Sequence, residues 1–259
     1  MEEIPLAGGL SGGAVLVDGT VRRRPGPWTP AVHALLTHLE RRAFPGAPRV
    51  LGFDERGRQV LSYLPGEVVG NSRPWPRWTH TDDALVQAAR WLRQLHLAVA
   101  DFRPPADAVW REGGAWHPGL VVGHNDAAPY NAAWLPTGAD AGRLTGFFDW
   151  DFAAPVTPLA DLAFTAFGWV PLHARHVVAV EGFTNFEDRE RRLRLFLDAY
   201  GWNGEPEAVL HAAHDRVLAS AEGIRRTAAA GDPAYRSMVE RGVDRDLEQA
   251  AREMPEILA

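Results

Sequence analysis

The chain has 259 residues, a formal net charge of −6 and no cysteine. Its length is enough to bury a sizeable core and predicts one large domain or two modest ones. Because 33 acidic and 27 basic residues are interleaved without a basic block, we expect neither nucleic-acid nor membrane binding. Small molecules are the expected partners.

The lack of cysteine also excludes a disulfide framework, a thiolate nucleophile and a cysteine-ligated zinc site. The start of the chain, Met1-Glu2-Glu3, is acidic where a secretory signal would be basic. No apolar run approaches the roughly 18 residues of a membrane span. A cytoplasmic location is therefore expected.

The first 64 residues have the pattern of a small antiparallel sheet with one helix. Apolar runs bounded by turn signals predict strands at residues 4–7, 14–17, 20–24, 50–53 and 59–64. An Asp18-Gly19 turn joins the second strand to the third. Between the third and fourth strands, Pro30 begins a helix that stops before Phe44.

The rest of the chain is mainly helical. Amphipathic patterns predict helices at residues 82–101, 159–168, 185–200 and 206–229, and another near the C-terminus. A Thr184-x-x-Glu187 capping box precedes the third of these. A strand at residues 143–148 interrupts the helical pattern.

Two polar motifs follow strand-like runs. Residues 123–131 read GHNDAAPYN after the apolar run 120–122, and residues 147–151 read FFDWD. Carboxylate and amide oxygens at the ends of adjacent strands converge and suit Mg²⁺, which indicates a phosphoryl-transfer site. The alternative is a plain turn in which Asn125 and Asp126 cap backbone groups.

The two motifs together resemble those of the aminoglycoside phosphotransferase and choline kinase family. The stretches LRQLH at 92–96, PLADLA at 158–163 and FLDAYG at 196–201 are further local matches. The resemblance implies an α+β, bilobal, protein-kinase-like fold. Its small antiparallel β N-lobe, residues 1–64, is expected to bind nucleotide, and its larger, mainly helical C-lobe, residues 65–259, to hold the catalytic loop, metal site and acceptor helices.

The resemblance also implies residue roles. Asp126 is similar to the catalytic base that orients the acceptor hydroxyl. Asn131 and Asp149 are similar to the ligands of Mg²⁺, and His124 is expected to brace the catalytic loop.

Two further aspartates have more than one interpretation. Asp161 resembles an aspartate that supports the catalytic loop from beneath, but an aspartate before an apolar helix is also an ordinary cap. Asp151 is predicted to bind metal, with contact to substrate or a backbone turn as alternatives.

One departure from the family concerns the donor phosphates. All 27 basic residues are arginine, so the family's N-lobe lysine is missing. Strand alternation favours Arg23 as its replacement, with Arg22 second, against a solvated strand edge as the alternative. The helix glutamate that pairs with that lysine is also absent from its usual place, and Glu40 lies at the far end of the helix.

Other nucleotide contacts are assigned by position. Ser62, Tyr63 and Leu64 correspond to the linker that contacts the base in the family. The glycine-rich loop at residues 8–13 has free amides that suit phosphates, but a plain turn explains it equally well.

The expected activity is transfer of the γ-phosphoryl group of ATP or GTP, with Mg²⁺, to a hydroxyl of an aminoglycoside-like, other antibiotic or amino-alcohol acceptor. A protein acceptor is disfavoured, because Asp161 follows Asp149 by only 12 residues and leaves no room for an activation segment. The alternative is a kinase-shaped pseudoenzyme that acts as a ligand-binding module.

Aromatic and histidine residues give weaker signals. Four tryptophans in or beside loops suit either an acceptor pocket or core packing, namely Trp75, Trp78, Trp110 and Trp116. The pairs His173-x-x-His176 and His211-x-x-His214 have metal-like spacing but no evident third ligand, so we interpret them as helix-surface or core residues.

Overall fold

The computed structural model describes residues 2–6, 13–136, 138–139 and 141–258. Within them, the first region forms an antiparallel sheet of five strands in the order β1-β2-β3-β5-β4. The strands are β1 (Ile4–Pro5), β2 (Val15–Val17), β3 (Thr20–Arg23), β4 (Val50–Phe53) and β5 (Gln59–Ser62). Strand β5 ends earlier than predicted, because Ser62 pairs with Thr20 at the very start of β3.

Helix α1 (Thr29–Arg41) packs its apolar face into the core. Pro30 lies in its first turn, where a missing N–H breaks no helical hydrogen bond. Leu35, Leu36 and Leu39 recur at helical spacing and are at most 1% exposed. The helix therefore backs the sheet as predicted.

The second region holds the remaining elements. Its strands are β6 (Val121–Gly123), β7 (Ala132–Leu135), β8 (Arg143–Phe147) and β9 (Ala154–Val156). Its helices are α2 (Asp82–Ala98), α3 (Pro158–Trp169), α4 (Arg175–Glu181), α5 (Arg189–Tyr200), α6 (Pro206–Ala229), α7 (Pro233–Glu240) and α8 (Val243–Glu253). Short 3₁₀ helices occur at Arg77–His80, Pro129–Asn131, Trp150–Phe152, Phe186–Asp188 and Met254–Leu258.

Helix α2 is the central helix of this region. The Thr81 hydroxyl caps its N-terminus by accepting from Ala84 N, and two aspartates lie in its first turn. Its buried face contacts α5, α3 and β8. The predicted helix over residues 82–101 is thus present but ends at Ala98.

The predicted start of α5 is wrong. The Thr184-x-x-Glu187 pattern makes no capping box, since a 3₁₀ turn occupies Phe186–Asp188 and α5 begins only at Arg189. Arg189 is 3% exposed and donates to His173 O at 2.8 Å. This buried contact holds the start of the α-helix at Arg189.

The two motif-bearing strands lie in different two-stranded sheets. Strand β6 pairs with β9, and β8 pairs with β7. Phe148 N also donates to Asn131 O at 2.9 Å, which brings the end of the GHNDAAPYN segment beside the end of β8. The motifs therefore converge through β7 and not through direct pairing of their own strands.

The backbone of β8 contacts the first region closely at a glycine. Gly146 has a φ of +146°, and a Cβ at this position would collide with the backbone of Gly46, after α1. Phe147 N donates to Gly46 O at 3.0 Å. The absent side chain permits this close backbone contact.

In the described ranges, no helix combines the length and apolar character needed to cross a membrane.

Candidate active site

His124 braces the segment between β6 and the candidate base. It is fully buried, and its ring lies 4.5 Å from that of Trp150. Asp126 N donates to Nδ1 at 3.3 Å, so the proton resides on Nε2, which donates to Phe148 O at 3.2 Å. Burial lowers the pKa of His124 to about 4. The ring is therefore neutral at physiological pH.

This burial predicts an acid-sensitive stability. The unfolded chain protonates His124 below about pH 6.5, whereas the folded protein does so only near pH 4. The contribution of the neutral His124 ring to the unfolding free energy is fully present above pH 6.5 and is lost as the pH falls toward 4. We expect the unfolding free energy of the wild type to fall by roughly 3 kcal/mol more than that of His124→Gln between pH 7 and 4, measured by urea denaturation.

The control for this prediction is the exposed His211. The His211→Gln protein should keep the pH dependence of the wild type. An equal fall in unfolding free energy between pH 7 and 4 for His124→Gln and the wild type would contradict the prediction.

Asp126 is held by two hydrogen-bond donors. Its Oδ1 accepts from the Tyr130 hydroxyl at 2.7 Å, and its Oδ2 accepts from Asn131 Nδ2 at 2.8 Å. Desolvation and the nearby charge of Asp149 raise the pKa of Asp126 to about 7, against the lowering effect of the two hydrogen bonds. A fixed carboxyl group with a near-neutral pKa suits proton transfer from a hydroxyl.

The predicted metal ligands Asn131 and Asp149 each keep an oxygen free of hydrogen bonds or ion pairs among the described residues. Asn131 uses its amide nitrogen for Asp126. Asp149 uses only Oδ1, and it has a left-handed φ of 59° that is unusual for aspartate. Within the same residues, no group of three or more His, Cys, Asp or Glu side chains forms a metal cluster. Two oxygen ligands fit Mg²⁺, which usually adds substrate phosphates and water.

Arg23 and Arg22 lie on opposite faces of β3. Arg23 donates from Nη1 to Asp149 Oδ1 at 2.9 Å and from Nη2 to Asp151 Oδ2 at 2.5 Å. Arg22 instead pairs with Asp54 at 3.4 Å, within the sheet region. Burial alone would lower the pKa of Arg23, but the charges of Asp149 and Asp151 raise it. The structure therefore brings Arg23, and not Arg22, to the candidate metal ligands.

Asp151 lies between two guanidinium groups. Besides Arg23, Arg111 Nη1 approaches its Oδ2 to 3.5 Å. Arg111 in turn packs over the rings of Trp28 and Phe152, at 5.0 and 4.6 Å from their centroids. Burial raises the pKa of Asp151, and the charge of Arg23 opposes that shift.

The linker residues Ser62, Tyr63 and Leu64 line an open cavity of about 370 Å³. Its other walls include Leu36 of α1 and Phe44 just beyond that helix. The predicted base contact of the linker stays a prediction. Of the glycine-rich loop, residues 8–12 lie outside the described residues.

A buried network holds the segment that contains the candidate base, and of its members only Asp161 was predicted from the sequence. Asp161 is fully buried and accepts from Asn125 N at 2.9 Å and from His96 Nε2 at 3.0 Å. His96 Nδ1 lies 2.8 Å from the Tyr200 hydroxyl. Burial would raise the pKa of Asp161, but His96 and the Asn125 amide lower it overall. These contacts fit the predicted role of Asp161 in supporting the loop. The alternative, that Asp161 caps α3, is wrong because Thr157 is the N-cap of that helix.

Sequence signals for this network were present but incomplete. His96 falls on the apolar face of α2, where a polar side chain needs a buried partner. Asn125 has a φ of 61° and donates from Nδ2 to Phe152 O and Ala154 O, both at 3.2 Å. Asn125 thereby joins the segment of the candidate base to the segment after Asp149. The motif alone did not indicate this role, because the roles implied by the resemblance concern the neighbouring residues His124 and Asp126.

The four tryptophans singled out in the sequence pack in or against the core. Trp75, Trp78 and Trp110 are buried in the core, and Trp116 packs under Arg103. Trp75 meets the ring of Tyr130 edge-on at 6.3 Å, so one of the four lies beside the residue that holds Asp126. Of the histidine pairs, His173 accepts from Ala174 N, His176 contacts Asp246 of α8 and His214 contacts the neighbouring Asp215.

Comparisons with known proteins agree with this geometry. Residues 107–196 match the model of the phosphotransferase enzyme family. A trifolitoxin immunity protein of Rhizobium leguminosarum bv. trifolii is 36% identical over 208 residues, which cover 77% of this chain and 74% of that protein.

Two solved structures share the fold. A choline/ethanolamine kinase family protein of Mesorhizobium loti is 20% identical with a TM-score of 0.60, over 99% of this chain and 89% of that one. A GDP complex of an aminoglycoside 2′-phosphotransferase is 16% identical with a TM-score of 0.53, over 98% of this chain and 93% of that one. The predicted kinase-like α+β fold is confirmed. The chain therefore belongs to the phosphotransferase enzyme family, as its motifs predicted.

Proposed function

We propose that the chain is a small-molecule kinase that uses Mg²⁺ to transfer the γ-phosphoryl group of ATP or GTP to an acceptor hydroxyl. One arrangement carries the proposal, in which Asp126 is held by Asn131 while Asp149 is held by Arg23. The two pairs are close enough for the charge of Asp149 to raise the pKa of Asp126, after the larger effect of desolvation. An oriented carboxylate, metal-ligand oxygens and a cation for phosphates are the components that phosphoryl transfer needs.

In the proposed reaction, Asp126 orients the acceptor hydroxyl and accepts its proton as the oxygen attacks the γ-phosphorus. The bond from the γ-phosphorus to the β–γ bridging oxygen breaks, and the nucleoside diphosphate leaves with that electron pair. Tyr130 and Asn131 keep the carboxylate in place. Mg²⁺, held by Asn131 and Asp149, supplies charge neutralisation at the donor phosphates.

We assign donor binding to an N-lobe of residues 1–64 and the remaining functions to a C-lobe of residues 65–259. Arg23 supports this division, since it reaches from β3 across to Asp149. Ser62, Tyr63 and Leu64 are assigned to the base by their position between the lobes. An arginine in place of lysine keeps the charge but changes the geometry of the phosphate contact.

The acceptor is assigned to the surroundings of the exposed Tyr130, whose ring packs against that of the buried Trp75. Glu181 is half-buried there, and burial raises the pKa of its carboxyl group to about 7. Aminoglycoside-like, other antibiotic and amino-alcohol compounds with a free hydroxyl are the proposed acceptor classes. The 36% identity to an immunity protein favours an antimicrobial acceptor among these.

A second candidate function is a kinase-shaped module that gives immunity by binding its ligand without turnover. The absence of lysine and of the usual helix glutamate favours this candidate. Against it stands the orientation of Asp126 by two donors, which a pure binder does not need. Turnover that depends on Asp126 separates the two candidates.

The first test of the proposal is nucleotide binding. We expect calorimetric titration of the wild type to give binding of ATP or GTP that Mg²⁺ strengthens by about tenfold or more, because Asp149 would hold a metal ion that neutralises charge on the donor phosphates. The Asp149→Ala protein should lose that strengthening. The exposed Asp107 provides the matched control, and Asp107→Ala should bind like the wild type. Failure of the wild type to bind either nucleotide would contradict the kinase proposal.

A further inference from the structure

Helix α1 offers Arg23 no carboxylate. Its first turn has no acidic residue, and its only acid, Glu40, is exposed near the far end and lines the linker cavity. Where α1 faces the neighbour of Arg23 on β5, His33 Nε2 and Gln59 Oε1 form a neutral hydrogen bond at 3.1 Å. Among the described residues, the ion-pair partners of Arg23 therefore lie outside the first region.

The partners of Arg23 come from the segment after β8. Its two terminal nitrogens reach two different aspartates, Asp149 through Nη1 and Asp151 through Nη2. A guanidinium group presents its N–H donors in a rigid fork, so one arginine bonds both carboxylates at once. The single nitrogen of a lysine could not hold two carboxylates in this forked geometry.

The two aspartates differ in what surrounds them. The side chain of Asp151 is 7% exposed and faces a second guanidinium group, that of Arg111, which is stacked on Trp28 and Phe152. The side chain of Asp149 is 23% exposed and meets Arg23 through a single oxygen. Breaking a buried ion pair from one side is strongly unfavourable, whereas a more exposed pair exchanges readily. Asp151 is therefore the lasting partner of Arg23, and Asp149 is the exchangeable one.

We propose that Asp151 is a positioning residue that anchors Arg23 of β3 by its Nη2, so that Nη1 exchanges Asp149 for the donor phosphates when nucleotide binds and leaves Asp149 available to Mg²⁺. The Arg23–Asp151 pair thereby takes the place of the lysine and helix glutamate that this chain lacks. Asp151 then has no part as a metal ligand, in contrast to the role predicted from the motif. This inference rests on the proposed kinase function.

The test is a double-mutant cycle on nucleotide affinity, measured by calorimetry with ATP and GTP in EDTA and in Mg²⁺. The proteins are the wild type, Asp151→Asn, Arg23→Gln and the double variant. We expect Asp151→Asn to weaken metal-free binding about tenfold in the wild-type background and less than about twofold in the Arg23→Gln background. The strengthening by Mg²⁺ should persist in Asp151→Asn, unlike in Asp149→Ala.

Two further variants complete the design. Asp151→Glu restores the carboxylate and should recover most of the lost affinity. Arg22→Gln removes a positive charge from the same strand, but Arg22 pairs with Asp54 and not with Asp151. The effects of Arg22→Gln and Asp151→Asn on nucleotide affinity should therefore be independent. Thermal unfolding of each variant checks that it is folded.

Three results would overturn the inference while leaving the kinase proposal intact. They are independent effects of the Asp151 and Arg23 substitutions, loss of the Mg²⁺ effect in Asp151→Asn, and no recovery in Asp151→Glu. A wild type that binds neither nucleotide would instead overturn the kinase proposal, and the anchoring role would fall with it.

Discussion

The Asp126→Asn protein is expected to bind nucleotide and Mg²⁺ within about threefold of the wild type, but to transfer phosphate about 10²–10⁴-fold more slowly. The asparagine side chain has nearly the same shape as aspartate, but its amide cannot take the proton of an acceptor hydroxyl. Asn131 and Asp149 keep their oxygens for the metal, so donor binding should survive. The measurement is transfer of labelled phosphate from ATP or GTP to a panel of aminoglycoside, macrolide and amino-alcohol acceptors, with calorimetry for binding.

Tyr130→Phe is the matched control for this prediction. It removes one hydrogen bond to Asp126 and keeps the carboxylate, so transfer should fall by no more than about tenfold. Equal loss in both variants would point to a disturbed loop and not to a missing base. Unchanged transfer by Asp126→Asn would exclude Asp126 as the base. A wild type that binds acceptor and nucleotide without transfer would favour the binding-module candidate.

The Asp161→Ala protein is expected to lose about 3–5 kcal/mol of unfolding free energy, because it leaves buried donors without their acceptor. Asn125 N and the His96 ring both lose their partner in a region closed to water. A Cβ on Gly123 would collide with the Asp161 carboxylate, so the loop packs directly on this side chain. Urea denaturation at pH 7 measures the loss.

Asp198→Ala on α5 is the control for the stability prediction. Asp198 is exposed, so its removal should change the unfolding free energy by less than about 0.5 kcal/mol. A loss of similar size in the two variants, or a stable Asp161→Ala protein, would contradict the supporting role of Asp161. Partial recovery in Asp161→Asn is expected, since an amide oxygen still accepts from Asn125 N.

Local patterns predicted most secondary structure because they depend on neighbouring residues. The apolar spacing of α1 and the Thr81 cap of α2 act within one or two helical turns, and both helices formed as expected. The Thr184-x-x-Glu187 pattern failed for the opposite reason. Buried Arg189 contacts His173 O across the fold, and that contact outweighs a local cap.

The sequence by itself determined the fold class, the family and the positions of Asp126, Asn131 and Asp149, since these lie in two short motifs whose spacing is encoded locally. Only the tertiary structure decided the partners of Arg23 and the hydrogen bond that joins His96 to Asp161. Arg23 and Asp149 are 126 residues apart in the chain, and His96 and Asp161 are 65 apart. Ion pairs and buried hydrogen bonds form between groups that packing brings together, and sequence spacing carries no signal for such a distance.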